Sequence, residues 1–522
     1  MKRAYGRSGA ALFALAAAGQ VLMAHAALHI GGRRELFADE AMIGGLSGDA
    51  RQVLHRPVRR EIVFETNRPW EGNGSGYQSV IHADGRYRMY YRAFQYGKRM
   101  GGPDTPFEDH EWYLCYAEST DGINWVRPEL DLVAFRGSKK NNIILDGAGV
   151  RPFAPHPACT AVFYDTCPVC PPDQRYKLVL TNEDFRDKEH LGMYIMVSGD
   201  GIRFRMLSRE RCVTDGIFDS QNTIFWDPVI RQYRAYYRYF KGGYPHGTRD
   251  ILTSASPDIL HFPPGKPVRR KQGEEYALYT NQMQPYYRAP HIILGFPMRY
   301  VDRGADAWEW PAMQALPGQA NRRTRFACAK RYGTAVTDAV LLVSRDGESV
   351  RLWEEAFLRP GPRLKESWVY GDNFVFWGMV ETASQLGDAP NEISFYSTEG
   401  YWEGSSTRFR RSTLRLDGFV SVQASARGGG VTTVPLIFEG RALSINFETS
   451  AVGELRVEIQ NPDGTPVPGY SMEECFPIFG DHIGFTVAWK GKGTDVSALA
   501  GKPVRIRYEI RDADLYAFQF VK

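Results

Sequence analysis

At 522 residues, 24% of them charged and with a formal net charge of +4, the chain is long enough to bury a large core and to form two or three domains. Lys2, Arg3 and Arg7 at the very start supply three of the surplus charges, and the other arginine-rich pieces (RRELF, RPVRREI, NRRTRF, RFRRST) are scattered among acids. That distribution argues against a nucleic-acid-binding surface, which needs a clustered basic excess.

Residues 1–26 have the layout of a secretory signal: the three basic residues, the apolar run AALFALAAAGQVLMA, and the small-x-small triplet Ala24-His25-Ala26. The run is short for a bilayer span and Gln20 interrupts it, so a secreted or periplasmic protein is expected, without stable membrane insertion. From residue 57 onward, β-branched and aromatic runs such as GRYRMYYRA, RYKLVLT, QYRAYYRYF and HIILGFPMR alternate with Gly, Pro, Asp and Asn turns. No long 3.6-residue periodicity interrupts them, and an all-β chain is expected.

The stretch AESTDGINW, ending at Trp125, has echoes in VSGDGIRF (Phe204), SASPDILHF (Phe262), VSRDGESVRLW (Trp353) and YSTEGYW (Trp402). Upstream of most of them, one strand passes through an Asp or Asn turn into an aromatic-rich strand, as in YQSVIHADGRYRMYYRA and SQNTIFWDPVIRQYRAYYRYF. Each unit then has four strands, with the Asp-Gly turn joining the third to the fourth. The uneven spacing excludes a solenoid of fixed period and predicts a five-bladed β-propeller over residues 27–419, with ELFADEAMIGG as a candidate closing strand. After the Gly-rich ARGGGVTT, longer hairpins such as GELRVEIQNPDGTPVPGY predict a C-terminal antiparallel β-sandwich over residues 420–522.

Seven cysteines in an exported chain permit disulfides. Cys159, Cys167 and Cys170 lie close together and suggest a loop staple; half a zinc site or a redox pair is the alternative, but no second Cys pair or His pair supplies the missing ligands. Neither a metal nor a cofactor is expected.

The YYRA-type strand, the A-x-S-x-D-G-x-x-W hairpin and the NNIIL after it resemble the blades of secreted five-bladed glycosidase-like proteins, the superfamily of glycoside hydrolase families 32, 43, 62, 68 and 117. ELFADEAMI, FDSQNTIFWD, TNQMQPYYRAPHIILGFPMRYVDR, GDNFVFWG and DVSALAGKPVRIRYEIRDADLY are together similar to a bacterial group placed with the family 32 N-terminal domain, over nearly the whole mature chain. The resemblance implies hydrolysis of a glycosidic bond in a poly- or oligosaccharide by carboxylates in a central funnel. Families 32 and 43 place an Asp on the inner strand of the first blade, and here the first blade offers Glu71 instead.

A glycosidase needs two carboxyl groups across a sugar, and residues just before each inner strand converge on the funnel. Glu71 in RPWEGNGSGY, Asp219 in FDSQNTIFWD and Asp372 in YGDNFVFWG are the candidate catalytic acids, with roles unassigned. The second blade offers His156 and no acid at that place. Trp70, Tyr77 and Tyr287 are candidate sugar platforms, and Gln221, Asn222, Asn281 and Gln282 are amides suited to hydroxyl groups. Arginines recur at the ends of second strands; of these, Arg238 and Arg299 are candidates for a substrate carboxylate or sulfate, and inter-blade ion pairing is the plainer role. Two rivals to hydrolysis use the same residues: a non-catalytic carbohydrate-binding propeller, and a glycoside phosphorylase in which arginines hold phosphate.

Overall fold

The computed structural model describes residues 27–98, 109–270, 275–364 and 367–522. The expected signal, residues 1–26, lies outside them, as does Glu274. The described chain is all-β apart from short helices, and its sheets have a propeller-like arrangement. Four are four-stranded antiparallel sheets, one has seven strands and one has ten.

The first four-stranded sheet shows how the sequence builds them. Ser79–Ala83 turns at Asp84 and Gly85, both with positive φ (52° and 71°), into Arg86–Ala93. Tyr113–Ser119 and Ile143–Leu145 complete the sheet. The second is Thr160–Tyr164, Tyr176–Asn182, Gly192–Ser198 and Arg205–Met206. The third is Thr223–Asp227, Gln232–Lys241, Thr248–Ser256 and Lys266–Pro267. The seven-stranded sheet spans 269–358, and the last four-stranded one joins Val380–Thr382, Glu392–Glu399 and Arg408–Arg415 to Val58–Glu65.

The Asp-Gly echoes are turns that lock neighbouring sheets together. Asp121 Oδ1 accepts from the backbone of Ile123 (2.8 Å) and Asn124 (2.7 Å), and Gly122 N donates to Ser119 Oγ (2.9 Å). Asp200 and Asp346 make the same turn with Ser198 and Ser344. The glycine carbonyl then accepts a tyrosine hydroxyl from the sheet alongside: Tyr396 to Gly122 (2.6 Å), Tyr90 to Gly201 (2.8 Å) and Tyr236 to Gly347 (2.9 Å). The repeat seen in the sequence is thus a repeated contact between sheets.

On the central axis sits Gln221. Its Nε2 donates to Tyr77 O (2.9 Å), Gln78 O (3.1 Å) and Thr160 O (3.1 Å), and its Oε1 accepts from Gln282 Nε2 (2.5 Å). Residues from four sheets are therefore joined through one buried amide. Trp377, fully within the core, bonds Met283 O on the same axis (2.9 Å), and its own backbone N–H donates to Gln78 O.

The two ends of the chain meet differently from expectation. ELFADEAMIGG does not close the propeller-like part: Glu35–Leu36 pairs with Pro503–Val521, and Ile43–Gly48 pairs with Gly429–Thr433. The physical reason is that Phe37 and Met42 bury their side chains in the core of the ten-stranded sheet, with Val431 and Phe518. Val58–Glu65 instead forms the outer strand beside Arg408–Arg415. Residues 28–54 thus join residues beyond 420 in the ten-stranded sheet, so a boundary at 420 does not part the chain there.

Cys159, Cys167 and Cys170 form no disulfide, which replaces the expected staple. Cys159 lies just before the strand Thr160–Tyr164 and Cys167 and Cys170 lie in the turn after it, so the strand itself holds them apart.

Candidate functional site

Three of the residues that lead into inner strands adopt a conformation that side chains rarely take. Tyr77, Gln282 and Asn373 have φ of 58°, 48° and 63°. Left-handed residues other than glycine cost about 1–3 kcal/mol each and persist where the surroundings hold them, most often at functional sites. Around them, at the same mouth of the channel, an aromatic cluster includes Tyr77, Tyr279, Tyr300, Tyr370, Tyr401 and Trp402.

Two carboxyl groups here act on one another electrostatically. Asp219 is 56% exposed at its side chain, while its partner Arg238, whose Nη2 is 3.0 Å from Asp219 Oδ2, is only 3% exposed. Glu183 follows the second strand of the second sheet, Tyr176–Asn182. Its side chain is 17% exposed, its Oε1 lies 3.8 Å from His156 Nδ1, and its buried Oε2 has no hydrogen-bond partner. Burial, and then the charge of Asp219, push the Glu183 carboxyl up to about 8, against the pull of Arg92 and Arg238. Glu183 is therefore a carboxylic acid at neutral pH, next to a carboxylate held by a guanidinium.

The groups around the pair are fixed by the aromatic wall. Arg92 donates from Nε to Gly74 O (3.0 Å) and from Nη2 to Tyr401 OH (2.6 Å), and its guanidinium lies over Tyr77 and Trp112. His156 stacks on Trp112 at 5.1 Å, and burial followed by the charge of Arg92 lowers it to about 4, so it is neutral. Burial raises the Cys159 thiol, as do the carboxyl groups of Glu183 and Asp219, while Arg92 and Arg238 lower it. Its inertness as a thiol follows.

Close packing at this mouth uses Gly371. Its φ is +90°, and an added Cβ would stand 1.9 Å from the Tyr401 ring, the ring that anchors Arg92. Gly371→Ala is expected to lower the melting temperature by several degrees, equivalent to about 1–3 kcal/mol, because both the strained φ and the clash must be relieved. A melt unchanged within a degree would show that Tyr401 moves freely.

The structure separates the other acids from this pair. Glu71 is fully buried with its Oε1 bound to Tyr91 OH (2.5 Å) and Arg127 Nε (2.7 Å), and its Oε2 bound to Arg127 Nη2 (3.0 Å) and Arg68 N (3.0 Å). With both oxygens taken by the protein, Glu71 ties the loop 68–72 to Arg127 and leaves no acceptor for a sugar. Glu71→Ala should destabilise the fold by about 3–5 kcal/mol, since it strands the Arg127 charge, read by urea denaturation. Asp372 is 3% exposed and accepts from Tyr401 N (3.1 Å). Burial raises its carboxyl to about 8, and the charges acting on it are Glu399, Arg325 and Glu403, not those around Glu183. It belongs to a buried network beneath the helix Gln319–Cys328, where Arg325 pairs with Glu403 at 3.2 Å.

The expected binding residues divide as clearly. Tyr77 and Arg238 are in the mouth. Gln221 is the axial plug, Asn222 binds Phe218 O and Ser220 O, and Asn281 binds Gln221 O and Tyr236 O. Only Gln282 keeps a buried oxygen, Oε1, without a partner. Trp70 donates to Asn142 Oδ1 (2.8 Å) and packs on Phe135, away from the pair. Arg299 is clamped by Asp338 at 2.9 and 2.6 Å, the ion-pair role, beside a cavity of about 650 Å³. Tyr287 is at the opposite mouth, where its hydroxyl donates to Glu381 in a mostly apolar cavity of about 950 Å³.

Glu183 had a signal in the sequence that the search among inner-strand starts passed over. Arg92 is the last residue but one of Arg86–Ala93 and Arg238 lies in the latter half of Gln232–Lys241, and Glu183 stands directly after the corresponding strand in the second unit, RYKLVLTNE. In an antiparallel hairpin, the end of the second strand lies beside the start of the first.

No protein-family model matches the chain, and no curated protein matches it. Among solved structures, it is similar to an N-acetylgalactosamine deacetylase from F. plautii, crystallised with blood group B trisaccharide, at 12% identity over 72% of this chain and 96% of that one, with a TM-score of 0.39. An endo-arabinase from Bacteroides thetaiotaomicron gives 8% identity over 69% and 97%, with a TM-score of 0.38. A GH32 β-fructofuranosidase of Bombyx mori gives 9% identity over 89% and 95%, with a TM-score of 0.37. At TM-scores under 0.5, likenesses of this size carry no argument about family or activity.

Proposed function

We propose that the protein is an exported glycoside hydrolase. In this proposal the seven-stranded sheet is the fifth blade of a five-bladed propeller, and the ten-stranded sheet folds over its own core as a sandwich packed against it. The observation that carries the activity is the pairing in one aromatic-walled mouth of Glu183, neutral with a free oxygen, and Asp219, exposed and held by Arg238.

Glu183 protonates the glycosidic oxygen as the bond to the anomeric carbon breaks, and Asp219 acts on that carbon, either directly or through a water. The tyrosine faces offer stacking surfaces to a sugar ring. Arg238 keeps Asp219 oriented, and burial keeps the proton on Glu183 until the leaving oxygen can take it. The substrate is a poly- or oligosaccharide, and the signal peptide carries the enzyme to the periplasm or the medium.

Phosphorolysis is the second reading, favoured by the two guanidiniums that act on the acids. A glycan panel incubated with the mature protein, with and without inorganic phosphate, tests both. Turnover in water alone supports hydrolysis, turnover only with phosphate supports phosphorolysis, and binding without turnover in either would reject both in favour of a lectin.

A further inference from the structure

Arg238 and Arg249 lie on adjacent strands of the third sheet, Gln232–Lys241 and Thr248–Ser256, and their guanidiniums converge. Arg238 is 5.1 Å from the Tyr279 ring centre and 5.7 Å from that of Phe240, and Arg249 is 5.2 Å from each of the same two rings. Arg249 also lies 5.1 Å from Tyr300. Two like charges sharing two rings repel one another unless acids stand between them.

Among the described residues, the acids here do not suffice. Asp219 binds Arg238 through Nη2, and among the described residues Arg249 has no ion pair. Asp250, the neighbour of Arg249, is taken by Arg270 at 2.7 Å, and Glu275 is taken by Lys241. Glu183 is neutral at pH 7, and His156 carries no compensating charge of either sign. Asp302 acts on Tyr300 and makes an ion pair with neither Arg238 nor Arg249.

Three polar groups here are buried and without partners: Arg238 Nη1, Arg249 Nε and Tyr300 OH. The Arg238 side chain is 3% exposed, so its unused N–H cannot turn to bulk water. A buried donor left unmade costs more than an ordinary hydrogen bond returns, and charged donors cost most. All three lie against one ring, Tyr279, in the same mouth as the acid pair.

We infer that Arg238, Arg249 and Tyr300 form an anion subsite that binds an acidic group carried by the sugar, a carboxylate or a sulfate ester, making the substrate an acidic glycan. The inference rests on the hydrolase proposal for its location but not for its test. Planar guanidiniums accept a carboxylate or sulfate through paired N–H donors, and the phenol supplies a third donor. Arg249, exposed on one side, is the group that meets the arriving acid, and Arg238 holds the catalytic carboxylate with one nitrogen and the substrate with another.

The test is calorimetric binding of uronate-containing and sulfated oligosaccharides, each paired with its methyl ester or desulfated form, at low and at physiological ionic strength. At least one acidic member is expected to bind on the order of 10- to 100-fold more tightly than its neutral counterpart, a preference that salt weakens. Arg249→Met should abolish that preference and Arg249→Lys should restore part of it, since Lys keeps the charge and loses the fork. No preference for any acid, whether both members of each pair bind or neither does, overturns the inference. So does inorganic phosphate binding more tightly than every acidic sugar, which would give the subsite to a free oxyanion. Because calorimetry reads binding, a failure to hydrolyse leaves the subsite standing, and a failure of acid preference leaves hydrolysis standing.

Discussion

Glu183→Gln is expected to lower turnover by about 10²–10⁴-fold while the protein stays folded, because the amide keeps the shape of the side chain and has no proton to give. The pH dependence of the native enzyme carries the same information. A general acid must be protonated, so activity should fall as pH rises through about 8. Stability moves with it. The folded-state value lies above the ordinary 4.5, so the folded form resists ionisation between those two pH values while the unfolded chain does not. The contribution of this group to stability is therefore full below pH 4.5 and is lost progressively as pH rises to about 8. Gln at this position removes the penalty: the variant should melt higher than the native protein at pH 8 and equally at pH 4. A variant that is inactive and also less stable at pH 8 would show that Glu183 is held by partners and is no buried acid.

Asp219→Asn should cost about 10³-fold or more in turnover, and it should also shift Glu183. The Asp219 charge is the second cause, after burial, of the raised Glu183 carboxyl. Without it, only burial opposes Arg92 and Arg238 and the carboxyl falls, so the alkaline limb of residual activity moves to lower pH. The titration of Glu183, followed by carbon NMR of labelled glutamate, should move in the same direction even if activity is too low to measure. Unchanged turnover would remove Asp219 from the chemistry; reduced turnover with an unmoved Glu183 would mean that the two carboxyls do not share a site.

Much of the architecture was legible because it repeats. The Asp-Gly echoes have a local cause, an Asp side chain accepting two backbone N–H groups, and local causes survive in sequence. The closing strand was not legible, because the segments around Glu35–Leu36 and Val58–Glu65 both read as strand-like, and what separates them is where Phe37 and Met42 find a core. Asp219 was found by its setting between Phe218 and an apolar strand. Glu71 and Asp372 shared that kind of setting, but burial against Arg127 or beneath a helix is decided by residues 56 and 47 positions away in the chain. Glu183 is hidden for the converse reason: Asn-Glu-Asp reads locally as a polar loop, and only its place directly after the second strand of its unit sets it apart.

The Gln221 amide, bonded to backbone from the first and second sheets and to Gln282, closes the axis between the tyrosine-lined mouth and the apolar cavity on the other side. A polymer cannot be threaded through such a molecule. Under the proposed hydrolysis, a glycan would enter the mouth as a chain end, or lie across the rim as a bend, and what is released would leave by the way it came, so departure of the product and arrival of the next substrate would compete for a single doorway.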